Sequence, residues 1–123
     1  MRKHILSLLL ALVSGVAMSA PTGADLLRSC GAVVKQQDGI TISVDESAES
    51  IWCIGYVAGF LDAVGMTPPK VNGKQAICLP PNGITNDQAI RLVVKWLREN
   101  PDGLHQSGRT EALIALSKAF PCQ

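Results

Sequence analysis

The chain has 123 residues, enough for one domain, and its formal net charge at pH 7 is +1. Eleven basic residues stand against ten acidic ones, so the sequence lacks the basic field that binds nucleic acid or anionic lipid. Two of the basic residues, Arg2 and Lys3, lie at the extreme N-terminus, and removal of residues 1–19 would leave nine basic against ten acidic residues, a net charge of −1.

The first nineteen residues follow the order of a secretory signal peptide. A basic start at residues 2–4 precedes an apolar run over residues 5–13, and Ala17 and Ser19 suit the small-residue cleavage requirement. The alternative is an uncleaved anchor helix, but the apolar core is shorter than a bilayer span requires. We therefore expect cleavage after Ser19 and an exported, single helical domain of residues 20–123 with no membrane segment.

All four cysteines lie in the expected mature domain, at Cys30, Cys53, Cys78 and Cys122. An even number of cysteines behind an export signal indicates two disulfides. The spacing contains no CxxC pair, which argues against a thioredoxin-type redox site and against a zinc ribbon.

Residues 24–35 carry apolar side chains at helical spacing and predict a first amphipathic helix. The second helix is expected to begin with Asp45 or Ser47 as its N-cap, to run to about residue 64 and to end at Gly65. Two adjacent apolar stripes mark its sides, one formed by Trp52, Tyr56, Phe60 and Ala63 and the other by Cys53, Val57 and Val64. Because the combined apolar face is wide, we expect this helix to be central and largely buried.

The stretch TPPKVNGK, residues 67–74, cannot continue a helix and predicts an exposed loop. A second proline-rich stretch, residues 78–83, predicts a rigid turn. The two are the principal interruptions between the first and second halves of the domain.

Thr85 and Gln88 form a capping box that begins a third helix. Residues 99–103 interrupt the helical pattern, and a fourth helix is expected over about residues 104–119, ended by Pro121. The fold class that follows is all-α, a small bundle of about four main helices stapled by two disulfides.

Short loops make consecutive helices antiparallel, which predicts the pairs Cys30–Cys53 and Cys78–Cys122. The first pair would join the first two helices, and the second would join the start of the third helix to the end of the fourth. Four cysteines also allow two other pairings, and these stay open.

Catalytic chemistry is poorly represented in the sequence. His105 is the single histidine after residue 19, so no multi-histidine metal site is expected, and no GxSxG, HExxH or Walker loop occurs. We expect no cofactor, no metal site, no catalytic residue and no enzymatic activity. An enzyme that uses Cys53 or His105 is the competing hypothesis, and it requires a free thiol for its main form.

Four residues of the second helix are candidates for either a packing role or a role in partner binding. Gly55 and Gly59, four residues apart, are interpreted as points where another helix comes close. Asp62 is interpreted as lying at the rim of the buried face or as accepting a hydrogen bond from a neighbouring donor, and the alternative is an anchor for a partner or for the loop of residues 66–77. Trp52, like Trp96 in the third helix, is expected in the core, with an exposed interface hot spot as the alternative.

Three short motifs now suggest a family: CIGYVAGFLD at residues 53–62, CLP at 78–80 and AFPC at 119–122. Together with the signal peptide and the intervening helix, they resemble the Rap/Tai-type immunity proteins of bacterial type VI secretion systems. The resemblance implies a small periplasmic helical protein that binds and occludes a delivered peptidoglycan amidase effector, often as a homodimer.

The resemblance also implies where the partner binds. The motif residues shared with the family look like part of the scaffold: Gly55, Tyr56, Gly59 and Asp62. The surface that binds the partner is therefore expected in an exposed loop. The candidates are residues 66–77 and 99–108, and we favour the second, with Asn100, Asp102 and His105 as contacts. The competing function is a periplasmic stress or chaperone-like helical protein with no cognate effector.

Overall fold

A computed structural model describes residues 19–123, and within them the chain forms a helical bundle. The elements are α1 (Gly23–Gln37), α2 (Val44–Met66), β1 (Lys70–Val71), β2 (Lys74–Gln75), α3 (Asn86–Glu99), a 3-10 turn (Pro101–Gly103) and α4 (Gly108–Ala119). The predicted all-α class with four main helices is confirmed. The expected signal peptide falls on residues 1–18, which lie outside the described residues. None of the described helices has the length and apolarity needed to cross a membrane.

Each of the first three helices begins with a reciprocal capping box. The box predicted at Thr85 and Gln88 is confirmed, because each side chain bonds the backbone N–H of the other residue. The cap predicted for α2 is wrong. Ser43 caps this helix by accepting the Glu46 N–H at 3.1 Å, and α2 continues past the predicted stop to Met66.

The expected exposed loop after α2 is partly ordered as a two-stranded antiparallel hairpin. Asn72 and Gly73 have φ angles of 51° and 78° and make the tight connection between the strands. An Asn-Gly pair suits this turn because both residues adopt left-handed conformations at low cost. The short strands contribute no core, since both are exposed.

The core lies between α1 and the three other helices. Leu26 and Cys30 of α1 pack in one buried cluster with Ile90 and Leu97 of α3 and with Leu116 of α4. These side chains are almost wholly inaccessible to solvent. Burial of such apolar surface is the main stabilising contribution in a domain of this size.

Both predicted disulfides are confirmed. Cys30–Cys53 joins α1 to α2 with a Cα–Cα distance of 5.1 Å. Cys78–Cys122 joins the segment before α3 to the segment after α4, with a Cα–Cα distance of 5.0 Å. The Cys78 N–H also donates to the Phe120 carbonyl at 2.9 Å. The antiparallel arrangement of consecutive helices therefore brings the paired cysteines together.

The prediction that α2 is largely buried is wrong. Its fully buried residues are Ser50, Cys53, Val57 and Val64. Trp52 is 42% exposed, against its expected place in the core. Gly55 and Gly59 are exposed as well, and a Cβ added at either would meet no atom within 4 Å, so they are not helix contact points within the chain. The reason is that α2 packs on the bundle with one side only.

Candidate interaction surfaces

The connection between α3 and α4, residues 100–107, contains the three residues predicted to contact a partner; we call it the α3–α4 turn. Asp102 and His105 are exposed. The His105 Nε2 atom lies 2.9 Å from the side-chain amide nitrogen, Nε2, of Gln106. Asn100 is half-buried, and its side-chain amide donates to the Trp96 carbonyl at 2.9 Å, at the end of α3. Asp102 and His105 can therefore reach a partner directly, whereas Asn100 shapes the turn.

The α3–α4 turn is bound to the chain just before α1. The Gly23 N–H donates to the Gln106 carbonyl at 2.9 Å, and the Gly108 N–H donates to the Pro21 carbonyl at 2.7 Å. An isolated bridge pairs Thr22 with Ser107. These backbone hydrogen bonds fix the turn against the beginning of the domain, so its exposed side chains project from a defined backbone.

A buried carboxylate holds the turn from inside. Glu111 of α4 is 3% exposed, and the Trp96 indole N–H donates to its Oε2 atom at 2.7 Å. A Cβ added at Gly103 would lie 2.8 Å from the same oxygen. The glycine therefore lets the turn close over Glu111, while Trp96 satisfies a carboxylate whose burial would otherwise be costly.

The Glu111–Trp96 contact was missed at the sequence level. Trp96 was expected to be a plain core residue, and Glu111 was not singled out. One signal was present: Glu111 lies one helical turn before Ala115, which belongs to the buried stripe of α4. A carboxylate on a buried stripe indicates a specific donor nearby, although the sequence does not tell which residue supplies it.

The β1–β2 hairpin and its flanks, residues 66–77, form the second predicted contact loop. Val71 at its tip is 55% exposed. The hairpin carries Lys70 and Lys74 and has no carboxylate between residues 66 and 77. Its base is closed locally, by the Ala76 N–H that donates to the Pro69 carbonyl at 2.8 Å.

An apolar cleft of about 280 Å³ lies between the base of the hairpin and the start of α4. Its walls include Phe60, Val64, Pro69 and Leu113, and Arg109 lines its polar side. Burial raises the pKa of the Tyr56 hydroxyl above its usual value, and the positive charge of Arg109 partly opposes that shift. The hairpin base and the first residues after the α3–α4 turn thus share one end of the bundle.

Residues 19–123 include all the cysteines on which the free-thiol form of the enzyme hypothesis depends. All four cysteines are in disulfides, so Cys53 has no thiol to act as a nucleophile. The same residues contain no group of three or more His, Cys, Asp or Glu side chains placed to hold a metal ion. The free-thiol form of the enzyme hypothesis is therefore wrong.

Comparison with known proteins gives one match. A family model described as Rap1a immunity proteins matches residues 22–122. The matched region begins at the capping residue of α1 and includes both disulfides, the hairpin and the α3–α4 turn. No curated protein and no solved structure matches the chain.

Proposed function

The chain belongs to the Rap1a immunity protein family, and from this premise we propose that it is a periplasmic protein that binds and occludes a peptidoglycan amidase delivered by a type VI secretion system. Membership of the family implies immunity against a secreted effector. The amidase target, the periplasmic site and the mode of inhibition are the proposed parts. Two disulfides are consistent with an exported protein, because such bonds persist in oxidising compartments.

The observation that carries this proposal is the way the α3–α4 turn is held. Its Gln106 carbonyl accepts from the Gly23 N–H, the adjoining Gly108 N–H donates to the Pro21 carbonyl, and Glu111 with Trp96 supports the turn from inside. A loop that occludes an enzyme groove loses less conformational entropy on binding when it is already ordered. A rigid, polar, exposed turn therefore suits inhibition by occlusion without any catalytic group.

We propose Asp102 and His105 as direct contacts and Asn100 as a residue that sets the backbone between them and α3. The two exposed side chains supply an acceptor and a donor–acceptor pair, which can match the polar groups of an enzyme groove. The neighbouring hairpin carries the opposite charge through Lys70 and Lys74, so the two loops would meet different parts of a partner.

A second copy of the chain is a further proposed partner. The resemblance to Rap/Tai-type proteins implies a homodimer, and α2 leaves an apolar side uncovered by the described residues. A dimer would place two α3–α4 turns in one assembly.

The proposal predicts a secreted cell-wall amidase encoded by a neighbouring gene, and that enzyme is the probe for the test. The protein is purified after export and titrated into the amidase while peptidoglycan cleavage is followed. We expect stoichiometric loss of cleavage and a complex that survives gel filtration. Full amidase activity in the presence of excess protein, with no complex formed, would contradict the proposed function.

One observation favours a second candidate, a stress or chaperone-like protein with no cognate effector. Val44, Ile51 and Met66 of α2 are highly exposed apolar residues, which is a feature of surfaces that hold unfolded clients. This candidate predicts that the protein prevents aggregation of acid-unfolded proteins. Aggregation followed by light scattering from neutral to low pH tests it, and the immunity proposal predicts no protection.

A further inference from the structure

An apolar cleft separates α2 from α4. Both helices pack on α1 and α3, but they make few contacts with each other, and a space of about 280 Å³ remains between them. We call this space the α2–α4 cleft. It is lined by Phe60, Ala63 and Val64 of α2, by Pro69, and by Arg109 and Leu113 of α4.

The walls of the cleft are held by the core. The side chains of Phe60 and Leu113 are partly buried and pack against the central hydrophobic cluster, to which Val64 belongs. Because their inner sides are fixed, their outer sides form a surface that exists before any partner arrives. Preformed apolar clefts with a few polar groups are the usual places where proteins bind ligands.

The volume of the cleft limits what can enter it. Sites for drug-sized ligands measure roughly 300–1,000 Å³, so a cleft of about 280 Å³ is small for a cofactor. A cavity of about 150 Å³ already holds a benzene molecule. The cleft therefore suits one aromatic or branched aliphatic side chain, together with the polar group next to it.

Arg109 is the charged residue that lines the cleft. No carboxylate of residues 19–123 lies within salt-bridge distance of it. Arg109 is exposed and lies in the first turn of α4, where a cation opposes the helix dipole. It therefore does little to stabilise the helix, and its guanidinium is available to an anion from outside.

The acidic residues next to the walls lie elsewhere. Asp62 faces away from the cleft, since it lies about 200° around α2 from Phe60. Glu111 lies two residues after Arg109, and its carboxylate is buried and hydrogen-bonded within the bundle. Burial raises the pKa of the Tyr56 hydroxyl above its usual value, so this neighbouring group adds no negative charge. Among the described residues, no anion competes for Arg109 at the cleft.

The hairpin extends the positive charge without lining the cleft. Lys70 and Lys74 belong to its two strands, and residues 66–77 contain no carboxylate. Neither lysine is among the residues that line the cleft. The approach of an anionic partner is therefore favoured by the hairpin, but the group that binds it is Arg109.

The cleft lies beside the α3–α4 turn, since Arg109 follows Ser107, the last residue of the turn, by two positions. A partner that covers the turn can therefore reach the cleft as well. We propose that the α2–α4 cleft is a second contact for the effector: an apolar side chain of the effector fills it, and a carboxylate next to that side chain binds Arg109. A side chain held in a pocket is a common anchor of an interface. This contact rests on the proposed function, because its occupant belongs to the effector.

The chemistry of the occupant is tested with two small probes. N-acetylphenylalanine carries an aromatic side chain and a carboxylate, and N-acetylphenylalaninamide has a neutral amide in place of the carboxylate. Each probe is titrated into the protein purified after export, while the amide resonances of Ala63 and Leu113 are followed by NMR. We expect the carboxylate to bind with a dissociation constant of about 1 mM and the amide to bind at least about fivefold more weakly. Arg109→Gln should remove that difference.

The effector is tested with two matched pairs of variants. Arg109→Gln removes the cation of the cleft, and Lys118→Gln removes an exposed cation about two and a half turns away, on the opposite side of the same helix. Ala63→Leu fills the cleft, and Ala119→Leu makes the same change at an exposed position of α4 outside it. All four positions are exposed and both new residues are good helix formers, so we expect the fold to be kept, and urea unfolding checks this.

In calorimetric titration of the amidase, we expect Arg109→Gln and Ala63→Leu each to raise the dissociation constant by about tenfold or more. The two controls, Lys118→Gln and Ala119→Leu, should change it less than about twofold. Amidase binding that ignores both cleft variants would overturn the proposal. Equal binding of the two probes, or no binding of either at about 10 mM, would overturn it as well.

A second copy of the chain is the competing occupant, and sedimentation of the same variants over a range of concentrations detects it. A dimer that Ala63→Leu dissociates, with the amidase affinity unchanged, would assign the cleft to the second copy and contradict the proposal. An unsubstituted protein that binds no amidase would remove the proposed function, and with it the effector as occupant. Amidase binding that ignores the cleft variants would remove this second contact alone.

Discussion

The α3–α4 turn and the β1–β2 hairpin are exposed loops at one end of the bundle, but they are held in different ways. The turn is hydrogen-bonded to the chain before α1 and lies over the buried Glu111. The hairpin is closed by its own strands and by the Ala76 to Pro69 hydrogen bond. One loop is therefore fixed by tertiary contacts and the other by local ones.

The α3–α4 turn shows that a small domain can present a rigid surface without regular secondary structure. Order in the turn depends on residues far away in sequence, such as Pro21 and Gly23. Order in the hairpin depends on neighbouring residues, through the Asn72–Gly73 turn and the hydrogen bond from Ala76 to Pro69. Substitutions that remove the contacts between the turn and the start of α1, or between the turn and Glu111, should therefore loosen the turn and leave the hairpin closed.

The largest expected effect is removal of the Cys78–Cys122 bridge by Cys78→Ala with Cys122→Ala. The bridge spans a sequence separation of 44 residues, for which chain entropy gives a stabilisation of about 4 kcal/mol. Urea unfolding should show this loss. Because Cys78 follows the hairpin directly and the bridge makes no contact with the turn, hairpin amides should lose more protection than amides of the turn; a loss confined to the turn would contradict this expectation.

The next effect compares two glycines, one in each loop. Gly103→Ala crowds the Glu111 carboxylate, which is buried and accepts a hydrogen bond from the Trp96 indole, and we expect a loss of about 2 kcal/mol in unfolding free energy. Gly73→Ala meets no atom but has a φ of 78°, which costs about 1 kcal/mol. Thermal unfolding measures both.

Inhibition of the amidase should also differ between Gly103→Ala and Gly73→Ala. Gly103→Ala should weaken inhibition, because it displaces the turn that we propose as the contact. Gly73→Ala should leave inhibition unchanged. Equal inhibition by both variants would argue that the fixed geometry of the turn is not needed.

A smaller effect is expected from Trp96→Phe, which leaves the buried Glu111 carboxylate without its indole donor. The loss in unfolding free energy should be roughly 1–2 kcal/mol. Trp52→Phe serves as the control, since this tryptophan is partly exposed on α2, and it should cost less than about 0.5 kcal/mol at concentrations where the protein is monomeric. Equal losses in the two variants would mean that Glu111 does not depend on Trp96.

The smallest effect is a response to acid. Hydrogen bonds from the Thr22 backbone N–H and hydroxyl, with the charge of Arg28, lower the pKa of Asp25 below its usual 3.8. A carboxyl with a lowered pKa stabilises the folded state above its unfolded pKa, and that contribution is lost as the pH falls through the folded pKa. Stability at the turn should therefore decline below about pH 3.8.

Amide hydrogen exchange shows which part of the protein loses stability in acid. Thr22 is bridged to Ser107, so amides of Gly23 and Gly108 should lose protection first. The hairpin has no carboxylate, and the Ala76 amide should keep its protection relative to them. Simultaneous loss at all three amides would indicate global unfolding in place of local loosening.

Much of the fold could be predicted from the sequence because the signals were local. Helical periodicity and the Thr85–Gln88 capping box located α3, and the antiparallel order of the helices predicted both disulfides. The cap of α2 was misplaced because Ser43, Asp45 and Ser47 are all good capping residues, and only the backbone decides among them. The hairpin was expected to be a loop because its strands are two residues long.

The remaining features depend on tertiary contacts that periodicity does not report. An apolar stripe shows that a helix face avoids water but not which surface covers it, so the stripe with Trp52 and Ala63 was expected to be buried although both residues are exposed. The Glu111–Trp96 contact joins two helices, and neither residue is distinctive alone. The three predicted contacts, Asn100, Asp102 and His105, stay proposals, since the structure shows their position and not their partner.

We propose that the fixed α3–α4 turn, and not the hairpin, binds the effector. The most direct measurement is calorimetric titration of the amidase with two double variants, Asp102→Ala with His105→Ala and Lys70→Ala with Lys74→Ala. We predict that the turn variant raises the dissociation constant by about 10- to 100-fold while the hairpin variant changes it less than about threefold. The reverse order of effects would contradict the account.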